Sequence, residues 1–78
     1  MSVPASLDHV LSRLAVTEAR IRQVVALLAQ GQKDEAIARR LGVSVRTVRR
    51  FVSAAVSSLQ AQSRFQAGVL AVKRGWVE

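Results

Sequence analysis

The sequence predicts an all-α domain of four helices, with a candidate extra helix at the amino terminus. Half of the 78 residues are apolar, which is enough for a folded core and too many for a disordered chain. The chain has only two phenylalanines, one tryptophan and one proline. Helix-forming residues such as Ala, Leu, Arg and Gln are common, and apolar positions recur at helical spacing. A chain of this length has room for one hydrophobic core.

Residues 1–16 are predicted to be a linker or an extra helix, placed before the main domain at residues 17–78. Their apolar positions follow the i, i+3, i+4, i+7 spacing of an amphipathic helix, for which Ser6 is a candidate N-cap. The positions with this spacing are Leu7, Val10, Leu11 and Leu14. The same stripe would suit a linker from a larger protein that is ordered only where it docks. We interpret His9, in the same segment, as a solvated side chain.

The first helix of the main domain is predicted over residues 18–30. Thr17 is a candidate N-cap, and Glu18 lies at the helix end where negative charge is favourable. Gly31 is expected to end the helix. The apolar stripe between them consists of Ile21, Val24, Val25 and Leu28.

Two further helices are predicted over residues 34–41 and 45–58, with a tight turn between them. Asp34 and Ser44 are candidate N-caps for the two helices. Gly42 is expected to end the 34–41 helix, because glycine adopts positive φ at little steric cost. The inner apolar stripe of the 45–58 helix consists of Val45, Val48, Val52, Ala55, Val56 and Leu59.

Three residues around this turn have the spacing of a helix-turn-helix. Ala38 is small enough for a close approach of the two helices, Gly42 makes the sharp turn, and Val48 fills the angle between the helices. The surrounding apolar positions are Ile37, Val43, Val45 and Phe51. This spacing also occurs by chance in helical proteins. The assignment of a helix-turn-helix therefore depends also on the residues of the outer face of the 45–58 helix.

The last helix is predicted from Ser63 to about Lys73, and Gly75 is expected to close it. It is apolar on two faces, which is typical of a helix covered on two sides. One face consists of Ala67, Leu70 and Ala71, and the other of Phe65, Val69, Val72 and Trp76. One small domain cannot bury both faces, so we expect a second copy of the chain to cover the outer one. The predicted dimer interface is Phe65, Gly68, Val69 and Val72, where Gly68 would permit a close approach.

The net charge of +7 is concentrated in the middle of the chain. Seven basic and two acidic residues lie between Gln32 and Arg64, which places +5 of the total in this segment. Such a distribution favours a polyanionic partner. The outer face of the 45–58 helix has residue types that suit a DNA groove, because guanidinium groups bind guanine edges and hydroxyl groups reach phosphates. This face consists of Arg46, Thr47, Arg49, Arg50, Ser53 and Ala54.

Three segments resemble the LuxR-type (GerE-like) DNA-binding domain of bacterial transcriptional regulators, in its actinobacterial variant. They read TEARIRQVVALLAQG at 17–31, DEAIARRLGVSVRTVRR at 34–50 and SRFQAGVLAVKRGWV at 63–77. The resemblance implies a four-helix domain whose third helix enters the major groove. It also implies that the fourth helix forms a two-fold dimer on an inverted repeat of double-stranded DNA.

The resemblance and the charge distribution together predict roles for individual residues. The predicted base contacts are Arg49, Arg50 and Ser53. The predicted phosphate contacts are Lys33, Ser44, Arg46, Thr47 and Arg64. Family members usually carry an amino-terminal receiver or ligand-binding domain, which this chain lacks. The chain is therefore expected to be either an excised carboxyl-terminal domain or a freestanding one.

The composition disfavours an enzyme, because one histidine, five acidic residues and no cysteine leave few groups for acid–base or metal chemistry. We expect no cofactor and no metal. The alternatives that the residues leave open are a helical protein–protein interaction module, the helix-turn-helix of a recombinase or sigma factor, and an RNA binder. No apolar stretch approaches about 18 residues, and no signal peptide is recognised. We therefore expect a cytoplasmic protein with no membrane partner.

Overall fold

The computed structural model describes the backbone of residues 5–77, and the side chains of Arg13 and residues 17–77. Within this part of the chain there are four helices and no strand. They are α1 (Ala5–Ala29), α2 (Asp34–Leu41), α3 (Val45–Ser58) and α4 (Arg64–Lys73). The predicted all-α class is confirmed. In the same described residues, no helix has an apolar stretch that could cross a membrane.

Helix α1 is longer than predicted, because it runs without a break from Ala5 to Ala29. The predicted helix start at Thr17 is wrong. The Thr17 hydroxyl donates a hydrogen bond of 2.9 Å to the backbone oxygen of Arg13, as threonines inside helices commonly do. No glycine or proline interrupts this segment, and Ser6 lies within it instead of capping it. The predicted stripe from Leu7 to Leu14 and the solvated His9 lie outside the described side chains.

The helix-turn-helix is confirmed in α2, the turn and α3. Gly42 has φ 68, and the N–H of Val43 donates to the carbonyl of Ala38 over 3.0 Å. Both Ala38 and Val48 are buried. Ser44 caps α3 as predicted, since its Oγ accepts from the N–H of Thr47 at 3.0 Å. The short turn and the two buried residues fix the angle at which α3 leaves α2.

Asp34 does not cap α2, which corrects the prediction for this residue. The N-cap position belongs to Lys33, whose side chain makes no capping hydrogen bond, and Asp34 is the first helical residue. Its carboxylate is engaged by arginines from other helices, and it still lies at the positive end of the helix dipole.

Two core clusters hold the helices together. Apolar side chains from α1, α2 and α3, all branched except Ala38, form the first, which consists of Val24, Leu27, Ile37, Ala38, Val48 and Val52. The second joins α1, α3 and α4 and contains Val25, Ala55 and Ala71, with Ile21, Trp76 and Val77 packed against them. Trp76 therefore packs inward, although Phe65, Val69 and Val72, with which it shares helical spacing, are exposed. The guanidinium of Arg22 lies over its ring at 4.9 Å, within the range of a cation–π contact.

Helix α4 packs through its small residues. Ser63 caps it, since its Oγ accepts from the N–H of Gln66 at 3.1 Å. Ala67 and Ala71 are fully buried, as predicted for the inner face, whereas Leu70, predicted on the same face, is only partly buried. A Cβ at Gly68 would lie 3.6 Å from the Cα of Ala29. The close approach expected of a second copy at Gly68 is therefore made by α1 of the same chain.

Candidate nucleic-acid interface

The outer face of α3 is basic and exposed. Val48, Val52 and Ala55 are buried on its inner side. The exposed residues on the other side are Arg46, Arg49, Arg50 and Ser53, with Thr47 partly exposed. The hydrophobic core thus fixes the orientation of α3 and leaves its arginine side chains exposed. A single helix with such a face has the dimensions that fit a major groove of about 12 Å.

The three predicted base-contact residues lie within one turn of α3. Arg49 and Arg50 are adjacent, and Ser53 follows Arg49 at i+4, so it lies on the same side of the helix. All three are exposed. Arg46 precedes Arg49 at i+3 and extends this surface towards the start of the helix. The arrangement offers several hydrogen-bond donors along one edge.

Two hydroxyl groups lie at the start of α3. Ser44 donates its hydroxyl proton to the Oγ1 of Thr47 at 3.0 Å and accepts the backbone N–H of the same residue. The hydroxyl proton of Thr47 is left to donate to another acceptor. Lys33 is exposed at the start of α2. Helix N-termini carry partial positive charge, so the start of α3, which has no acidic residue in its first turn, favours a phosphate electrostatically. The first turn of α2 carries Asp34 and Glu35, whose negative charges oppose this effect there.

An unpredicted ionic junction lies beside this surface and is centred on Asp34. Arg64 donates from Nη1 to Oδ2 of Asp34 at 3.2 Å and from Nη2 to Oδ1. The Nε of Arg49 lies 3.7 Å from Oδ2 of the same carboxylate. The hydrogen bond from Arg64, with a further contribution from Arg49, holds the pKa of Asp34 below its ordinary value of 3.8. Asp34 in turn raises the pKa of Arg64.

The junction changes how two predicted DNA contacts are placed. Arg64, predicted to touch phosphate, has both Nη atoms on the Asp34 carboxylate. Arg49, predicted to touch bases, has its Nε 3.7 Å from that carboxylate, an ion pair that is longer than a hydrogen bond. Sequence reasoning missed this link because Asp34 and Arg64 are far apart in the chain. The available signal was an acidic residue inside a strongly basic segment.

A second exposed surface is apolar and is formed by α4 together with the end of α1. Phe65 is 80% exposed, Val72 52% and Val69 38%. With Leu28, Ala29 and Gly31, these side chains line a groove in which Gly68 also lies. Three of the four predicted dimer residues thus share one exposed face. Contiguous exposed apolar surface of this kind commonly marks a contact site.

Among the side chains that the structure describes, no cluster of three or more His, Cys, Asp or Glu residues could hold a metal ion. The candidate binding features of the described residues are the basic face of α3, the ionic junction beside it and the apolar groove.

Comparison with known proteins finds similarity over much of this chain. The chain is 46% identical over 50 residues to the bialaphos biosynthetic pathway regulatory protein of Streptomyces hygroscopicus, a match that covers 64% of this chain and 20% of that protein. The solved structure of VqmA bound to DPO is similar with a TM-score of 0.70 and 38% identity, over 74% of this chain and 29% of that one. The chain thus spans less than a third of the length of either protein.

The family match covers more than half of the chain. Residues 15–61 match the homeodomain-like domain, a range that includes the second half of α1, all of α2 and α3, and the turn at Gly42. Helix α4 lies beyond it. With the buried Ala38 and Val48 and the positive φ of Gly42, the chain is a helix-turn-helix domain that belongs to the homeodomain-like family.

Proposed function

We propose that the chain is the DNA-binding domain of a bacterial transcriptional regulator and that it binds double-stranded DNA sequence-specifically. The basic outer face of α3 carries this proposal, because its orientation is set by the core behind it and its exposed groups suit a major groove. The name of the Streptomyces relative, a regulatory protein, agrees with this role. The proposed activity is binding in the bacterial cytoplasm, without catalysis.

We further propose that the domain is of the LuxR type. This finer assignment rests on the segments at 34–50 and 63–77 and on α4, which lies outside the range matched by the homeodomain-like family. A full-length regulator would join this domain to a receiver or ligand-binding domain. The coverage of its relatives, a fifth of one and less than a third of the other, fits such an arrangement.

The proposed roles divide the interface into reading and positioning contacts. Arg49, Arg50 and Ser53 contact bases, since they share one exposed edge of α3. The phosphate contacts are Lys33, Ser44, Arg46, Thr47 and Arg64. Arg64 would reach a phosphate with the donors that it does not use on Asp34. Phosphate contacts set the register of the helix, and base contacts supply the sequence preference.

The first test measures which residues read sequence. A preferred site is selected from random double-stranded DNA, and affinities for this site and for random DNA are compared. Arg49→Ala should cost about 1–3 kcal/mol on the selected site and flatten the preference at one base pair. Lys33→Ala should weaken both DNAs alike. Lys73→Ala is the charge-matched control, because Lys73 is exposed in the last turn of α4 and is not among the proposed DNA contacts.

Salt dependence gives a second measurement of the same proposal. If about five phosphates are neutralised per bound domain, log affinity should fall against log salt with a slope near −4 to −5. A flat salt response, with no sequence enriched in the selection, would contradict DNA binding and favour the alternative of a helical interaction module.

We also propose that two copies bind an inverted repeat through α4. Phe65, Val69 and Val72 support this, because the rest of the described chain leaves 80%, 38% and 52% of them exposed in one groove. A two-fold pair would place half-site centres about 10 base pairs apart. The contact is small and therefore weak in the absence of DNA, so DNA should bring the copies together.

The dimer test replaces Val69 by Glu. This side chain is partly exposed, so the variant should fold and bind a half-site normally while losing cooperative binding to the full site. Gln66→Glu is the matched control, because it adds the same charge to the same helix at an exposed position outside the groove. Unchanged cooperativity in Val69→Glu would exclude this face as the dimer contact.

A further inference from the structure

The Asp34 carboxylate is unusual for its location. It is an acidic side chain beside the proposed DNA surface, where a negative charge opposes binding to phosphates. Its side chain is only 12% exposed, and it connects the start of α2 to an arginine of α3 and an arginine of α4. A carboxylate in such a location needs a role that offsets its electrostatic cost.

The two arginines use different edges of their guanidinium groups. Arg64 places Nη1 and Nη2 on the two carboxylate oxygens, which is the paired geometry that holds a carboxylate firmly. Arg49 approaches with Nε, at 3.7 Å from Oδ2. Neither Nη atom of Arg49 makes a hydrogen bond among the described side chains, so both can donate to another acceptor. Guanine presents O6 and N7 to a pair of N–H donors, which is the contact those two atoms can make.

We propose that Asp34 is a positioning residue for sequence reading, which holds the Arg49 guanidinium through Nε and leaves its two Nη atoms facing the groove. Arg64 fixes the carboxylate that does this. The inference rests on the proposed function and deepens it.

Positioning of Arg49 by Asp34 should affect the affinities for specific and for random DNA in opposite directions. An exposed arginine loses rotamer freedom when it binds a base, and a contact formed in the free protein reduces that loss. Arg49 is 68% exposed, so without Asp34 it would have this freedom. A complex with random DNA does not use the base contact, and it experiences only the negative charge of Asp34.

The test compares Asp34→Asn with Glu35→Gln. Each variant removes one negative charge from the first turn of α2, and Glu35 is exposed with no ion pair among the described side chains. Glu35→Gln should strengthen binding to the selected site and to random DNA equally. Asp34→Asn should strengthen binding to random DNA while reducing the ratio of specific to random affinity about 2- to 12-fold.

A double-mutant cycle identifies the residue through which Asp34 acts. In an Arg49→Ala background, Asp34→Asn should leave the specificity ratio unchanged, because the positioned group is gone. If the ratio falls by the same factor with and without Arg49, Asp34 acts on the structure in general and the proposal is wrong.

The free domain provides a measurement that needs no DNA. NMR relaxation of the arginine Nε–H groups should show Arg49 more ordered than Arg46, an exposed arginine with no ion pair among the described side chains. Equal mobility of the two groups in the wild type would overturn the inference, even if Asp34→Asn failed to fold.

The outcomes separate this inference from the proposed function. If the wild type selects a DNA sequence and Asp34→Asn behaves like Glu35→Gln, the inference fails and the proposed function stands. If the wild type prefers no DNA sequence, the proposed function fails, and the inference, which depends on it, fails as well.

Discussion

The α2–α3 unit and helix α4 pack onto α1 with different kinds of residue. Branched side chains such as Ile37 and Val48 fill the space beneath α2 and α3. Helix α4 instead uses Ala67, Gly68 and Ala71, which bring its backbone close to the neighbouring helices. The first arrangement turns large apolar groups inward and leaves charged groups outside. The second buries small groups and leaves Phe65 and its neighbours exposed.

The difference indicates how one small chain can present two surfaces. The core beneath α3 is filled from within the chain, so its outer face is available for a charged partner. The contact of α4 with the rest of the chain needs only small residues, so its large apolar residues are available for an apolar partner. The two regions should therefore be disrupted by opposite changes, truncation in the first and enlargement in the second.

The largest expected effect is truncation beneath the helix-turn-helix. Ile37 is fully buried, and Ile37→Ala should lower the free energy of unfolding by about 2–5 kcal/mol through lost burial and the cavity left behind. Chemical denaturation measures this. The graded control is Ile37→Val, for which about 0.5–1.5 kcal/mol is expected. If Ile37→Ala loses less stability than the range expected for Ile37→Val, the neighbouring side chains must collapse into the space that the deleted atoms leave.

Enlargement on the inner face of α4 should have the next largest effect. Ala71 is fully buried in the second core cluster, and Ala71→Leu should destabilise by about 1–3 kcal/mol because a well-packed site has no room for the added atoms. Val72→Leu enlarges the adjacent, exposed residue and should leave the melting temperature unchanged. Equal tolerance of both changes would show that α4 is loosely packed.

The sequence predicted those parts of the fold that depend on local rules. The bounds of α2 and α3 follow from the position of Gly42 and the capping by Ser44, and both were recognisable. The inner stripe of α3 follows from helical spacing alone. The basic face opposite it could be identified for the same reason.

Features that depend on tertiary contacts could not be predicted in this way. Thr17 has the side chain of an N-cap, but the helix continues through it because nothing in the preceding residues stops it. Asp34 also has a side chain typical of a cap, and two distant arginines engage it instead. Gly68 was correctly expected to permit a close approach, but which helix would approach it depends on how α4 packs.

Removal of the capping serines should have an intermediate effect on stability in both regions. Ser44 caps α3 and Ser63 caps α4, each by accepting a backbone N–H. Replacing either by alanine should cost about 0.5–2 kcal/mol of stability. Ser57→Ala, at an exposed position inside α3, is the control and should not destabilise, since alanine favours helix. Thermal melting measures all three. Only Ser44→Ala should also weaken DNA binding, and a matching loss in Ser63→Ala would argue against separate roles.

The smallest effect concerns the ionic junction that joins the two regions. Arg64 holds the pKa of Asp34 below its ordinary value in the folded protein. A carboxyl with a depressed folded pKa stabilises the fold above its unfolded pKa, near 3.8, and this contribution is lost as the pH falls through the lower, folded value. The free energy of unfolding should therefore fall more steeply below about pH 4 in the wild type than in Asp34→Asn.

We expect the difference between these two proteins to be at most about 1 kcal/mol, because Arg64 is 46% exposed and solvent screens such pairs. Added salt should reduce the difference further. Glu35→Gln, which removes an acidic group that has no ion pair among the described side chains, should retain the wild-type steepness. Denaturant titrations between pH 2 and pH 7 measure the three curves. If Asp34→Asn and the wild type lose stability in parallel, the Asp34–Arg64 contact does not hold α2 to α4 in solution, and the two regions are joined only through their cores.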